Sequence, residues 1–188
     1  MKKFFLFVFV CLSLNAFAQE DIASVREVNF YGVDFSHANL YGLQESSDAI
    51  QSGLERINNL FITEKKKYDI SKYLKKEVIN YCLTSTDENN ANLSVEELFS
   101  DNKYVDLDDD QIQQIIDGLS CIDDNCGLVL IAENLNKKDE KATFRVVFFD
   151  GKTKEIIYSK KASGKALGFG IRNHWAGSIH GLLKNWKY

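Results

Sequence analysis

The fold is decided by residues 127–161, which read GLVLIAENLNKKDEKATFRVVFFDGKTKEIIYSKK. Residues 127–133 form an apolar run of strand length, residues 142–149 form a second, and residues 155–161, with Ile-Ile-Tyr at 156–158, predict a third strand. The runs are separated by a charged turn at 137–140 and by Asp150-Gly151, a pair typical of hairpin turns. The segment therefore predicts an antiparallel meander of three strands.

The flanking sequence predicts helices and at least one further strand. Alternating apolar residues predict a strand at 25–35, and apolar spacings of three and four predict an amphipathic helix at 46–65. The other expected elements are a short helix capped by Asp69 or Ser71, a strand at 77–84 that could instead continue that helix, a polar loop at 84–92, a helical turn at 94–99, a helix opened by Asp108-x-x-Gln111, and a final helix at 171–186.

This order of elements predicts an α/β (α+β) fold in a single domain at residues 19–188. We expect a mixed sheet of four or five strands that contains the C-terminal antiparallel meander and is packed by helices. The sequence shows neither an internal repeat nor a linker that would divide the chain.

The first eighteen residues have the pattern of a secretory signal peptide. A basic head at Lys2 and Lys3 precedes an apolar run at 4–14, and Ala16-Phe17-Ala18 is a small-x-small cleavage site. Cys11 lies within the apolar run without the small residues of a lipoprotein cleavage box before it. We therefore expect an exported protein, periplasmic or extracellular, with no transmembrane span, because the apolar run is short for crossing a bilayer.

The charge balance argues against nucleic-acid binding. The chain has 188 residues, with 23 basic and 27 acidic side chains and a net charge of −4. Without residues 1–18 it would have 170 residues and a net charge of −6, because Lys2 and Lys3 leave with the signal. A nucleic-acid surface needs a basic face to contact phosphates, so we expect no nucleic-acid partner.

Three cysteines remain after residue 18: Cys82, Cys121 and Cys126. Export would permit a disulfide, and Cys121 and Cys126 enclose a four-residue polar turn that would let them pair. Cys82 would then be a buried free thiol. Zinc is the competing interpretation, but the cysteines form no CxxC pair and no histidine is near them in sequence, so we expect no metal.

Four aspartates resemble a calcium loop without completing it. They lie at 106, 108, 110 and 117, which are positions 1, 3, 5 and 12 of the calcium-loop template, but position 6 is Gln111 where the template needs glycine. Asp108 and Asp110 are better explained as acidic residues at a helix N-terminus. We expect no bound cofactor.

A glycine-rich turn precedes the final helix. Gly164, Gly168 and Gly170 lead into it, and Arg172, Asn173 and His174 follow at its start. Such a turn can present backbone N–H groups to an anion, with Arg172 as a charged donor. The alternative is that the glycines permit a close crossing of the helix over the sheet.

Asp34, Ser36 and His37 cluster at the end of the first strand. Alternation along a strand would put Asp34 and Ser36 on one face and His37 on the other, so they do not make a ready catalytic triad. If the first strand is parallel to the strand at 127, this cluster and the glycine-rich turn leave the same edge of the sheet, where open α/β sheets bind ligands. We therefore predict a ligand site that combines the two groups: Asp34, Ser36, His37, Gly168, Gly170, Arg172, Asn173 and His174.

Two segments resemble known families. They are VNFYGVDFSHAN at 28–39, and FDGKTKEIIYSK at 149–160 together with GFGIRNHWAG at 168–177. With the signal pattern they resemble small exported bacterial proteins of unassigned function. The strand pair at 149–160 is also similar to envelope-associated α/β accessory domains. The resemblance implies an envelope location and supplies no catalytic motif.

Taken together, these features favour a non-enzymatic binding or accessory protein of the bacterial cell envelope. Its partner would be an envelope protein or a small ligand. The alternative is a small periplasmic hydrolase whose site is formed by residues 34–37 and 172–174. The sequence identifies no catalytic residue.

Overall fold

Six strands and seven helices make up residues 22–188, the part of the chain that the computed structural model describes. The predicted signal peptide, residues 1–18, lies outside these residues. The strands are β1 (Glu27–Asp34), β2 (Asn39–Tyr41), β3 (Glu77–Tyr81), β4 (Gly127–Asn136), β5 (Lys141–Phe149) and β6 (Ile156–Lys165). The helices are α1 (Ser47–Leu54), α2 (Leu60–Thr63), α3 (Ile70–Leu74), α4 (Thr84–Ala91), α5 (Val95–Leu98), α6 (Asp109–Asp117) and α7 (Gly170–Lys184).

The strands form one mixed sheet in the order β3-β1-β4-β5-β6. β1 lies parallel to both β3 and β4, and β4, β5 and β6 form the predicted antiparallel meander. The α/β class, the mixed sheet and the C-terminal meander are confirmed. The sixth strand, β2, was not predicted: it has three residues and pairs with the end of β4 beyond the end of β1.

The two faces of the sheet have separate apolar cores. Alternate residues such as Leu128 and Leu130 join the larger core, in which α1 and α7 pack on the sheet. Val129 and Ile131 point to the other face, where the apolar side of α6 covers them. All ten residues of β4 are buried, as expected for a central strand covered on both faces.

α6 begins as the sequence predicts. The Asp108 side chain accepts a hydrogen bond from Gln111 N at 2.8 Å, and the Gln111 side chain accepts one from Asp108 N at 3.1 Å. This reciprocal capping box satisfies two N–H groups that the first helical turn leaves unpaired. Asp108 therefore caps the N-terminus of α6, and Asp110 lies in its first turn, as we expected.

The segment at 84–92 is a helix, where we predicted a polar loop. Its polar side chains face the protein: Thr86 and Asn90 are fully buried. Asn90 Oδ1 accepts a hydrogen bond from Phe35 N at 2.9 Å, and Asn90 Nδ2 donates one to Val33 O at 2.8 Å. The polar residues therefore satisfy the backbone of β1, which explains why α4 has no apolar periodicity.

The helix predicted at 46–65 is interrupted between α1 and α2. Asn58, in the interruption, is fully buried, and its side chain turns towards β1. Asn58 Oδ1 accepts from Val33 N at 2.8 Å, and its Nδ2 donates to Val33 O at 3.2 Å. The break places this amide against the strand.

The disulfide joins Cys82 to Cys121, which corrects the predicted pair Cys121–Cys126 and the predicted free thiol at Cys82. Their Cα atoms are 5.4 Å apart. The turn that contains Cys121 is anchored by Asp123, which accepts hydrogen bonds from Asn29 Nδ2 at 2.6 Å and Asn80 Nδ2 at 2.8 Å. These bonds hold the pKa of Asp123 below its ordinary value and bring Cys121 beside the end of β3.

α7 crosses β6 at close range. A Cβ atom on Gly164 of β6 would collide with the backbone oxygen of Ser178 in α7. Glycine at this position is therefore required by packing. The close-crossing explanation of the glycine-rich segment is confirmed for Gly164.

We expect replacement of both Cys82 and Cys121 by alanine to lower the free energy of unfolding by about 4 kcal/mol. This is the chain-entropy value for a bridge between residues 39 positions apart. Denaturant unfolding with and without a reductant measures it, and Cys126→Ala, which leaves the bridge intact, is the control. A non-reducing peptide map that links Cys121 to Cys126 would contradict the observed pairing.

We expect Asn90→Ala to lower the free energy of unfolding by about 2 kcal/mol, because it leaves the buried Phe35 N–H without its acceptor. Asn92→Ala is the matched control: the side chain of this exposed asparagine donates only to Glu88 O among residues 22–188, and we expect a change below about 0.5 kcal/mol. Equal losses in the two variants would show that the amide does not support β1.

Candidate functional site

The C-terminal ends of β1 and β6 point towards the same edge of the sheet, with β4 and β5 between the two strands. β1 is parallel to β4, and β6 is parallel to β4 through two antiparallel pairings. The segment after β1 and the loop before α7 therefore leave the sheet in the same direction, as we predicted. The eight residues of the predicted site lie at or just after the end of β1, in the loop before α7 and at the start of α7.

Ser36 contacts both Asp34 and His37. Ser36 Oγ lies 2.5 Å from Asp34 Oδ1 and 2.9 Å from His37 Nδ1. Asp34 is fully buried and also accepts hydrogen bonds from Ser36 N at 2.9 Å and Asn89 Nδ2 at 2.7 Å. The carboxylate thus ties the end of β1 to α4.

The order of these groups differs from that of a catalytic triad. In a triad the imidazole lies between the carboxylate and the hydroxyl, so that it removes the hydroxyl proton. Here the Ser36 hydroxyl lies between Asp34 and His37 and donates to the carboxylate. This geometry suits a structural turn. Ser36 also lines an open cleft of about 450 Å³ with the polar side of α4 and with α5.

The loop before α7 displays an aromatic side chain to solvent. Phe169 is 95% exposed, and Leu167, two residues before it, is 60% exposed. Gly168 and Gly170 on either side of Phe169 have φ angles of +131° and +76°, which side-chain-bearing residues rarely adopt. Phe169 is also the N-cap of α7 and has no polar side chain to cap it. The two glycines therefore hold the chain in a shape that turns Phe169 outward.

A second open cleft, of about 490 Å³, lies between α1 and the start of α7; we call it the α1–α7 cleft. Its charged side chains are Glu45, Arg56 and Arg172. Arg172 Nε donates to Asn173 Oδ1 at 3.1 Å, and Arg56 Nε donates to Ser52 O at 2.5 Å. Phe169 stands at the rim of a pocket that offers two guanidinium groups.

His174 belongs to the core and lines neither of these clefts. It is 6% exposed, and its ring centroid lies 4.7 Å from that of Trp175. Its Nε2 has no hydrogen-bond partner within residues 22–188. Burial, and to a smaller extent the charge of Lys137, lower the pKa of His174 below its ordinary value.

The two halves of the predicted site occupy different places. Ser36 lines the cleft beside α4, whereas Arg172 and Asn173 line the α1–α7 cleft. Among residues 22–188, no hydrogen bond or ion pair joins Asp34, Ser36 or His37 to residues 168–174. Ligand binding at either cleft remains a prediction.

Sequence reasoning missed Phe169 and Arg56. Arg56 is far from residue 172 in sequence, and only the packing of α1 on α7 brings the two together. The exposure of Phe169 depends on the tertiary placement of its loop, so no local pattern predicts it. The composition offers one signal: the chain has only four arginines beside 19 lysines, and two of the four line this cleft.

Within residues 22–188, no three His, Cys, Asp or Glu side chains are grouped so as to hold a metal ion. In the same range, no helix combines the length and apolar character needed to cross a bilayer.

We expect the protein to lose stability as the pH falls below about 6.5, partly because of His174. Its pKa is lowered in the folded state, so the unfolded chain binds more protons between the folded value and the ordinary value near 6.5. Thermal unfolding from pH 7.5 to pH 5.5 should show a falling midpoint, with a shallower fall in His174→Gln. Asn173→Gln, at an exposed neighbour, should keep the parent slope; an unchanged slope in His174→Gln would contradict the assignment.

Comparison with known proteins gives little similarity. No family model matches the chain, and no curated protein matches it. Among solved structures, the LpoB C-terminal domain from Salmonella enterica is 14% identical and aligns over 76% of this chain and 86% of its own, with a TM-score of 0.31. A TM-score this low does not establish a shared fold.

Proposed function

We propose that this chain is an exported, non-enzymatic binding or accessory protein of the bacterial cell envelope. It binds a protein partner through the loop at 167–173 and the adjoining α1–α7 cleft. The observation that carries the proposal is Phe169, which is 95% exposed and is held outward between two glycines of positive φ.

An exposed phenylalanine of this kind is more favourably placed in a protein interface than in water. Burying a phenylalanine side chain in an interface favours binding by roughly 1.5–3 kcal/mol relative to leaving it in water. Aromatic residues and arginine are enriched in the centres of protein interfaces, and here Phe169 lies beside Arg172. Leu167, also exposed, extends the apolar surface.

Export is supported by two independent features. Residues 1–18 have the signal-peptide pattern. The Cys82–Cys121 disulfide is of a kind that persists in oxidising compartments such as the periplasm. The resemblance of residues 28–39 and 149–160 to exported and envelope-associated proteins agrees with both.

We expect Phe169→Ser to weaken binding of the native partner by roughly 10- to 100-fold, the equivalent of the burial free energy of one phenylalanine. Tagged protein would be cross-linked in intact cells, the captured envelope protein identified, and its affinity for the purified variants measured. Ile122→Ser is the matched control, because Ile122 is 86% exposed in the turn before β4. Equal affinity of the parent and Phe169→Ser for every captured protein would refute the proposed surface.

A further inference from the structure

We propose that the α1–α7 cleft binds an acidic, extended segment of a protein partner, one that carries a large apolar side chain beside its carboxylates. This inference rests on the proposed function and names the chemistry of the partner.

The cleft is positive on an acidic protein. Arg56 and Arg172 line it together with a single acid, Glu45, whereas the whole chain has a net charge of −4. Within residues 22–188, neither arginine forms an ion pair. Arg145, by contrast, pairs with the buried Glu133 at 2.8 Å. The cleft therefore offers two positive charges that this part of the chain does not neutralise.

Both guanidinium groups are oriented while their outer nitrogens stay available. Each uses Nε in a local hydrogen bond, Arg56 to Ser52 O and Arg172 to Asn173 Oδ1. Within the described residues, the terminal nitrogens of neither arginine donate a hydrogen bond. An arginine fork of this kind matches the two oxygens of a carboxylate, which a lysine cannot do with the same geometry.

The apolar part of the cleft adds the second requirement. Phe169 lines its rim, and Ala49 of α1 is small and exposed, whereas Gly53 is covered by the buried Ile171. A side chain of the partner can therefore lie against α1 while its neighbouring carboxylates reach the arginines. A volume of about 490 Å³ is within the range of ligand-binding clefts.

An acidic protein segment fits better than an anionic membrane surface. The cleft is concave and lined from two helices, whereas a bilayer presents a broad surface to which basic residues bind from a convex face. Glu45 also lies within the cleft and would be repelled by a continuous layer of anionic headgroups. Membrane binding is therefore kept as an outcome of the test.

The test is selection of random octapeptides on the purified protein, followed by fluorescence anisotropy with the enriched peptide. We expect enrichment of Asp and Glu around one aromatic or aliphatic residue. The double variant Arg56→Glu/Arg172→Glu should bind that peptide at least roughly tenfold more weakly, and should bind its lysine-substituted counterpart more tightly than the parent does. Arg26→Glu, at an exposed arginine before β1, is the matched charge control and should bind like the parent.

Three results would overturn the inference. One is a selection that yields no peptides or peptides without acidic enrichment; another is unchanged affinity in the double variant. The third is binding to phosphatidylglycerol vesicles that the double variant loses. If Phe169→Ser still abolishes binding of the native partner while the double variant does not, the acidic segment is refuted and the proposed function stands. If Phe169→Ser has no effect on binding of native partners but the acidic peptide binds as described, the proposed function is refuted and the acidic-segment inference stands.

Discussion

The structure depends on two buried asparagine side chains, Asn58 and Asn90, whose amide groups form hydrogen bonds with the backbone at the end of β1. β1 pairs with β3 only as far as Phe30, so the backbone of its second half has no strand beside it on that edge. The side-chain oxygen of Asn58 accepts a hydrogen bond from Val33 N, and that of Asn90 accepts one from Phe35 N, directly after β1. An unpaired buried backbone group costs about as much as a lost hydrogen bond or more, so the loss of either side chain would destabilise this end of the strand.

The same amides fix the helices that carry the clefts. Asn58 lies four residues after the end of α1, so its bonds to Val33 hold the segment after α1 against the sheet. Asn90 holds α4 against β1 by donating a hydrogen bond to Val33 O. Asp34 accepts a further hydrogen bond from Asn89 Nδ2 of the same helix. α1 supplies one wall of the α1–α7 cleft, and α4 supplies one wall of the Ser36 cleft. Hydrogen bonds to the end of β1 therefore help to position a wall of the α1–α7 cleft and a wall of the Ser36 cleft.

Local patterns predicted the sheet and failed where polar residues were buried. The apolar runs of 127–161 and the capping box at Asp108 are local signals, and both elements formed as expected. The helix at 84–92 did not follow from its sequence, because its buried asparagine serves a strand more than fifty residues away. Nearness in sequence also misled the disulfide assignment, since Cys121 pairs with Cys82 at the end of β3. Arg56 and Arg172 share a cleft only through tertiary packing, which no spacing reveals.

The display of Phe169 is a consequence of how tightly α7 is placed. Gly164 lets the helix lie directly on β6, and Leu167 N donates to His174 O at 3.2 Å, which closes the loop onto the helix. The loop is thus fixed at both ends, and the two glycines of positive φ set the direction of the residue between them. A side chain presented by a fixed loop loses less conformational entropy on binding than one on a free loop. The rigidity that exposes Phe169 to water is therefore the property that would make it an effective contact for a partner.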